Sequence, residues 1–216
     1  MAIARALKRV MDVSGALVAL VLLSPVMAWT ALAVLITQGR PVLFRQERPG
    51  VGGKPFTIYK FRTMRPTKPG EVYYLTDDDR LTRLGHFLRS SSLDELPELW
   101  NVLRGDMSLV GPRPLLMEYL DQYSELEARR HDVRPGITGW AAVTGRNKLE
   151  FGDRLQLDVW YLDHWSLALD IRILAMTVAQ VVRRQGVSAT EDLGLGFRLP
   201  GLNDDPGPSG TPRPRS

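Results

Sequence analysis

The chain has 216 residues, 44% of them hydrophobic, with a net charge of +4, which is enough for one domain with a real core. It contains no cysteine, which excludes a disulfide framework and a thiolate metal site. The charge is uneven: residues 1–65 hold ten Lys or Arg against Asp12 and Glu47, so this third carries +8 and the remainder −4. A basic end implies an anionic partner, whether nucleic acid, lipid headgroups or a phosphorylated substrate. His86, His131 and His164 are far apart in sequence and form no metal-binding pair at helical spacing.

The first predicted element is an apolar run, "ALVALVLLSPVMAWTALAVLI", 21 residues without a charge over residues 16–36. As a helix it would extend about 31 Å, enough to cross a bilayer core. A plain transmembrane helix is the default reading. A signal peptide is a second, with "RALKR" as its basic start, although the run exceeds a usual signal core. Two features point to a third. Cations flank both ends: Arg5, Lys8 and Arg9 before, then Arg40, Arg45, Arg48 and Lys54 after. The positive-inside tendency therefore places both flanks in the cytoplasm. Ser24-Pro25 also sits mid-run, where the proline bends a helix and the serine hydroxyl can serve a freed carbonyl. A bent helix that enters and leaves by one face reconciles the charges. From these features alone, span and re-entrant helix both stay open.

After this run, "PVLFRQ" and "FTIYKFRTM" read as strands joined by the turn "RPGVGGKP". "TKPGEVYYLTDDDR" reads as a loop. "LTRLGHFLRSS" reads as a helix with Leu81, Leu84, Phe87 and Leu88 on one side. A second helix is expected over residues 93–103, and "RGDMSLVGPRP" as a loop. "LMEYLDQYSELEARRHDV" reads as one helix closed by the turn-rich "RPGITGW". Two more helices meet near residues 164–166, with Gly186 as the C-cap of the second. Trp160, Tyr161 and Trp165 suit a membrane interface or a core equally. The proline-rich chain from residue 200 is expected to be disordered.

Asp94 and Glu95 lie side by side in "SLDELPELWN". A purely structural account is available: Ser92 and Glu95 match a capping box, and Asp94 suits the positive end of a helix. The surroundings favour chemistry. Arg89 precedes the pair. "GDMSLVGPRP" supplies glycines, a serine hydroxyl and Arg113, and Arg146 follows another glycine-rich turn. Arginine forks and exposed amides are what a phosphate or diphosphate needs. Carboxylates beside them make sense if one bridges through Mg²⁺ or attacks phosphorus. Adjacent helical residues point roughly 100° apart, so the two acids should face different partners.

Several motifs occur in order: Lys8-Arg9 with Asp12, Ser24-Pro25, "KFRTM" from Lys60, "LRSSSLDELPELWNVLRGDMSLVGPRP" over residues 88–114, "RPGITGW" from Arg134, "GRN" from Gly145 and "LDIRIL" from Leu169. In these the chain resembles the small monotopic phosphoglycosyl transferases of the bacterial sugar transferase family, over about residues 8–185. The resemblance implies an α+β, mostly helical fold. It would comprise an N-terminal re-entrant membrane helix hairpin (residues 1–39) and a catalytic domain (residues 40–186) with a small β-hairpin and interfacial amphipathic helices around a cytoplasmic active site. A C-terminal extension (residues 187–216) would follow. It also implies transfer of sugar-1-phosphate from a UDP-sugar to polyprenyl (undecaprenyl) phosphate, with UMP as co-product. Asp94 would be the nucleophile and Glu95 its dyad partner. Arg89, Arg113, Arg146, Lys60 and Arg62 would bind substrate, and Asp94, Glu95 and Asp170 would surround Mg²⁺. Lys8 and Arg9 would meet lipid headgroups, with Ser24 and Pro25 shaping the hairpin. The expected location is the inner (cytoplasmic) membrane of a bacterium, monotopic, with the site facing the cytoplasm. Nucleic acid is not an expected partner, and a homodimer is compatible. The competing reading is a non-catalytic basic membrane-associated binding protein, which leaves Asp94, Glu95 and the arginine loops without a role.

Overall fold

The structure, a computed structural model, describes residues 2–66, 80–145 and 151–183. Most of the expected 67–80 loop, Arg146, the Gly186 cap and the C-terminal tail lie outside the described residues.

Helix α1 (Ala2–Gln38) is a single helix of 37 residues with Pro25 in its interior, rather than two helices joined by a turn. Proline removes the amide that would bond the Val21 carbonyl. The Ser24 hydroxyl donates to that carbonyl instead, at 2.8 Å. Leu17, Val18, Val21, Leu22, Trp29 and Ile36 are exposed. The most apolar window of the helix has a mean hydropathy of 2.3 and is only 11% buried. Apolar exposure on this scale marks a surface built for something other than water. The opposite side packs at both ends. Ala16 joins a core cluster with Ile58, Leu99, Val102 and Met107, and Val34 joins one with Phe61 and Leu88.

Strands β1 (Leu43–Pro49) and β2 (Pro55–Phe61) form an antiparallel hairpin, with Leu43 opposite Phe61 and Pro49 opposite Pro55. Helix α2 (Arg83–Ser90) starts at Thr82, whose hydroxyl accepts the Gly85 amide. Leu88 is buried as expected, but Phe87 is exposed. The predicted 93–103 helix divides into a 3-10 turn (Leu93–Glu95) and α3 (Glu98–Arg104). Pro97 explains the division, since it lacks the amide needed to continue a helical ladder. The two glycine-rich loops turn out to contain short strands, β3 (Ser108–Val110) and β4 (Gly136–Thr138), paired in parallel. Backbones approach closely there: a Cβ on Gly136 would sit 2.1 Å from the Gly111 nitrogen.

The predicted long helix after residue 115 is broken into a 3-10 segment (Met117–Gln122), the short α4 (Glu125–Ala128) and a second 3-10 turn (Arg129–Asp132). Ser124 and Glu127 make a complete capping box, which restarts the helix at this point. Helices α5 (Trp140–Gly145), α6 (Phe151–Asp163) and α7 (Leu167–Val182) follow, and Ser166 caps α7 through the Leu169 amide. The whole is α+β and mostly helical.

Near the N-terminus of α1, Lys8 Nζ lies 3.0 Å from Asp12 and 2.9 Å from Asp170. Both carboxylates are buried. Asp170 also accepts Tyr161 Oη at 2.7 Å and Trp165 Nε1 at 3.2 Å. Asp12 accepts Ser108 Oγ at 2.8 Å and the Leu109 amide at 3.1 Å. Burial and then Asp170 push the Tyr161 hydroxyl pKa up, so it remains a proton donor to that carboxylate. Tyr161 and Trp165 thus belong to the core, while Trp160 is partly exposed between Trp140 and His164. Arg9 donates to the Leu103 carbonyl at the end of α3, at 3.1 Å. At the other end of α1, the Arg62 guanidinium donates to the carbonyls of Gln38, Gly39 and Arg40, and Gln38 Nε2 returns a bond to Arg62 O at 3.1 Å.

Asp170→Ala would leave the Lys8 ammonium with Asp12 alone and take the carboxylate acceptor from Tyr161 and Trp165. Its expected cost is about 3 kcal/mol, at the low end for a broken buried pair, measured by thermal unfolding in detergent. Asp170→Asn, which keeps an acceptor oxygen, should lose less. Loss of less than about 1 kcal/mol, the size of one ordinary hydrogen bond, in Asp170→Ala would show that the bridge does not hold the helix.

Candidate active site

One face of the hairpin presents Phe44, Gln46 and Arg48 from β1 and Ile58 and Lys60 from β2, with Arg62 just past its end, following the two-residue period of a strand. These residues line a cavity of about 330 Å³. Residues 63–66 and Arg80 form another wall, with Arg89 from α2 and Asp94 from the 3-10 turn. Arg48, Lys60, Arg62, Arg65, Arg80 and Arg89 all line it, and Asp94 is the sole acid among the described lining residues.

Asp94 reaches this place through an unusual backbone. Ser92 has φ 55° and ψ 20°, the left-handed region, and makes no side-chain cap. That conformation costs a residue with a Cβ roughly 1–2 kcal/mol. Such strain persists where the surroundings over-determine it, often at functional sites. The expected Ser92–Glu95 capping box therefore does not form. Instead, Glu95 Oε1 accepts Lys60 Nζ at 3.0 Å and the Arg113 guanidinium at 2.5 Å. Asp94, 6% exposed, lines the cavity, so the two adjacent acids have different surroundings. Glu98 is 2% exposed, with Oε1 3.5 Å from the same Lys60. One ammonium thus serves two carboxylates.

Arg89 Nε donates to Thr63 Oγ1 at 3.2 Å and shares the cavity with Asp94. Arg62 lines the cavity too, but its guanidinium fastens the C-terminus of α1. The glycine-rich loops were expected to offer amides to a phosphate. Their amides are spent internally: Gly111 N donates to Thr138 O and Gly136 N to Pro112 O, both at 2.9 Å. The Ser108 hydroxyl goes to Asp12. What the 112–114 turn offers an anion is Arg113.

Among the described residues no three His, Asp or Glu side chains gather as a metal-binding group. The carboxylate of Asp170 is occupied by Lys8, Tyr161 and Trp165, so the structure does not bring it to Asp94 and Glu95. Lys8 is likewise engaged by protein carboxylates rather than left for a headgroup. Asp94 lines the cavity, and Glu95 beside it accepts Lys60 and Arg113.

The family model for bacterial sugar transferases matches residues 3–184. The chain belongs to the bacterial sugar transferase family. It is similar to an uncharacterized sugar transferase, EpsL, of Bacillus subtilis (strain 168), with 50% identity over 184 residues that cover 85% of this chain and 91% of that protein. A UDP-glucose:undecaprenyl-phosphate glucose-1-phosphate transferase of Caulobacter vibrioides is 44% identical over 185 residues, covering 81% of this chain and 69% of the relative. A protein of the same name from Escherichia coli (strain K12) is 43% identical over 186 residues, which is 81% of this chain but only 40% of that protein.

In this transferase, sequence reasoning missed Arg48, Arg65 and Arg80 as cavity residues. Arg48 was read as the first residue of the turn, whereas the strand runs on to Pro49 and keeps Arg48 in register with Gln46 and Phe44. Arg80 meets the cavity because its backbone and that of Arg65 bond to each other across the 67–79 segment, with Arg65 N donating to Arg80 O at 2.9 Å. No local pattern announces that contact.

Lys60→Met would leave Glu95 and Glu98 without their shared cation. The expected loss is about 3 kcal/mol of stability, because truncating one partner of a buried ion pair strands the other. Combined with Glu98→Gln, the loss should be smaller than the sum of the single losses, measured by unfolding of all three variants. Additive losses would show that the two side chains are not coupled.

Proposed function

We propose that this transferase moves a sugar-1-phosphate from a UDP-sugar to polyprenyl phosphate through a covalent intermediate on Asp94, at the cytoplasmic face of the inner membrane. The observation that carries the reading is a cavity whose described lining holds six cations and one carboxylate, the buried Asp94. A cavity of that sign attracts a diphosphate. A lone acid in it would repel phosphate unless it reacts with phosphorus or meets it through a cation.

An Asp94 oxygen attacks the phosphorus that bears the sugar. The bond from that phosphorus to the bridging oxygen breaks, and UMP leaves with that oxygen and its electron pair. A phosphate oxygen of the polyprenyl acceptor then attacks the same phosphorus. The aspartyl–phosphorus bond breaks and the carboxylate is restored. A covalent intermediate lets a soluble donor and a lipid acceptor use one site in turn. Arg89 and its neighbours neutralise charge on the transferring group. Glu95, gripped by Lys60 and Arg113, holds Arg113 against the site. Mg²⁺ commonly takes one or two carboxylates together with substrate phosphates, and Asp94 and Glu95 suit that role. When bound it would supply further charge neutralisation.

The way α1 is fastened supports this membrane arrangement. A straight helix would separate Lys8 from Gln38 by roughly 45 Å. Yet Lys8 is bound to Asp170 and Gln38 to Arg62, both in the body of the protein. A span would carry those ends to opposite faces of the bilayer, whereas one body can hold both only from one side. The exposed apolar middle then lies in a single leaflet, with the site at headgroup depth. The names of relatives include glucose-1-phosphate and galactosyl transferases, so glucose and galactose donors are the first to try.

The test mixes protein in nanodiscs with polyprenyl phosphate, Mg²⁺ and a panel of UDP-sugars, and measures UMP. Asp94→Asn should lower turnover at least about a thousandfold, and EDTA should stop it. With donor alone, mass spectrometry should find the phosphosugar on Asp94. Normal turnover by Asp94→Asn, or turnover with no adduct, points to direct displacement and sinks the proposal. Cysteines placed before Lys8 and after Arg40 should label only from the cytoplasmic side. Labelling from opposite sides would mean a span.

A further inference from the structure

A second cavity is small, about 70 Å³, and lies between β4, α5 and α6. Arg113 lines it while also pairing with Glu95, the neighbour of Asp94, so one guanidinium links this space to the dyad. We propose that this second cavity receives the hexosyl ring of the donor, and that Arg154 and the Arg130–Asp158 pair read its hydroxyl edge. The assignment rests on the reading of the first cavity as the diphosphate site.

Size supports it. The space holds on the order of five water-sized spheres, the scale of one six-membered ring and too little for a base with its ribose. The wide cavity beside Asp94 is left to the diphosphate and nucleoside. Chemistry supports it as well. One wall is apolar, with Ile137, Leu155 and Phe151. The Phe151 ring is set edge-on to Tyr119, 5.7 Å between centroids, which fixes that wall. A pyranose has an apolar C–H face and a polar rim, and ligand pockets pair apolar walls with a few convergent polar groups.

The polar edge carries an unmet demand. Arg130 is 3% exposed and lines the cavity. Its terminal nitrogens donate to Tyr123 Oη at 3.0 Å and to Asp158 and the Arg113 carbonyl at 2.7 Å each. Its buried Nε has no hydrogen-bond partner. A buried donor in that condition is costly, and a ligand oxygen would relieve it. Burial pushes the Asp158 carboxyl pKa up, while Arg130 and Arg154 pull it down. Position is the last argument. The sugar is bonded to the phosphate that meets Asp94, so its ring must lie next to that phosphate. Arg113, bound to Glu95 of the dyad, borders a space of the right size.

The experiment uses the full chain carrying Asp94→Asn, which blocks turnover, in nanodiscs. Titration calorimetry gives Kd for UDP and for UDP-glucose and UDP-galactose. Two further substitutions are compared: Arg154→Met, which keeps the stem, and Ala142→Phe at an exposed position that narrows the cavity without disturbing the core. Each should weaken the bound UDP-hexose at least tenfold and leave UDP within twofold. Equal weakening of UDP and UDP-hexose would place the nucleoside there, and unchanged Kd values in both variants would leave the cavity without a ligand; either result overturns the proposal. Calorimetry does not depend on turnover, so a wild-type protein that binds UDP-hexose but releases no UMP would overturn the catalytic reading alone.

Discussion

Lys8 between Asp12 and Asp170 is the contact on which the rest of the structure depends. Both carboxylates are buried, and an unpaired buried charge costs several kcal/mol. The lysine lies on α1, as does Asp12, while Asp170 lies on α7. Through Asp12, the bridge reaches Ser108 and Leu109 of β3. Through Asp170 it reaches Tyr161 of α6. The apolar helix, a strand and two helices therefore meet at one charge cluster, and none can shift alone. The 112–114 turn begins two residues after β3, so the depth of α1 and the place of Arg113 are set by the same contact.

The site itself is built from opposed demands. Six cations crowd one cavity, and they would repel each other if nothing anionic were bound there. Several are restrained by the protein: Arg62 by the carbonyls of Gln38, Gly39 and Arg40 at the end of α1, Lys60 by two carboxylates, Arg48 by Gln46 and Pro114. Asp94 is pushed into this field by a strained serine. A chain selected only for stability would have glycine at position 92, or would let Ser92 cap the helix.

Local patterns in the sequence were reliable where the partner was also local. The alternation around Lys60 produced the hairpin, Ser166 caps α7, and Ser24 serves the carbonyl that Pro25 frees. The pattern Ser-x-x-Glu occurs at Ser92 and at Ser124, and it forms a capping box only at the second. Nothing local distinguishes them. Glu95 is taken by Lys60 and Arg113, which come from 35 and 18 residues away, and two cations outcompete one amide. The same reason hid β3 and β4, three-residue strands without an apolar run, whose glycines looked like phosphate ligands and serve close backbone packing. Nothing local announces the pairing of Asp170 with Lys8, which lies far away in sequence.

Arg113 shows how the fold makes a loop residue rigid. Its neighbours Pro112 and Pro114 have no amide hydrogen, so the turn has little to donate and must be held by its carbonyls. Each of the three is held from a different direction: Pro112 O by the Gly136 amide at 2.9 Å, Arg113 O by Arg130 at 2.7 Å, and Pro114 O by Arg48 at 3.5 Å. Arg130 is in turn fixed by Asp158 of α6, and Arg48 belongs to β1. The backbone of Arg113 is thereby tied to β4, α6 and the hairpin at once. The backbone contributes constraint, and the guanidinium at its end is spent on Glu95. A charge that must follow a transferring phosphate works best when its mounting does not move, and two prolines with three external donors provide that mounting without a single ladder bond of their own.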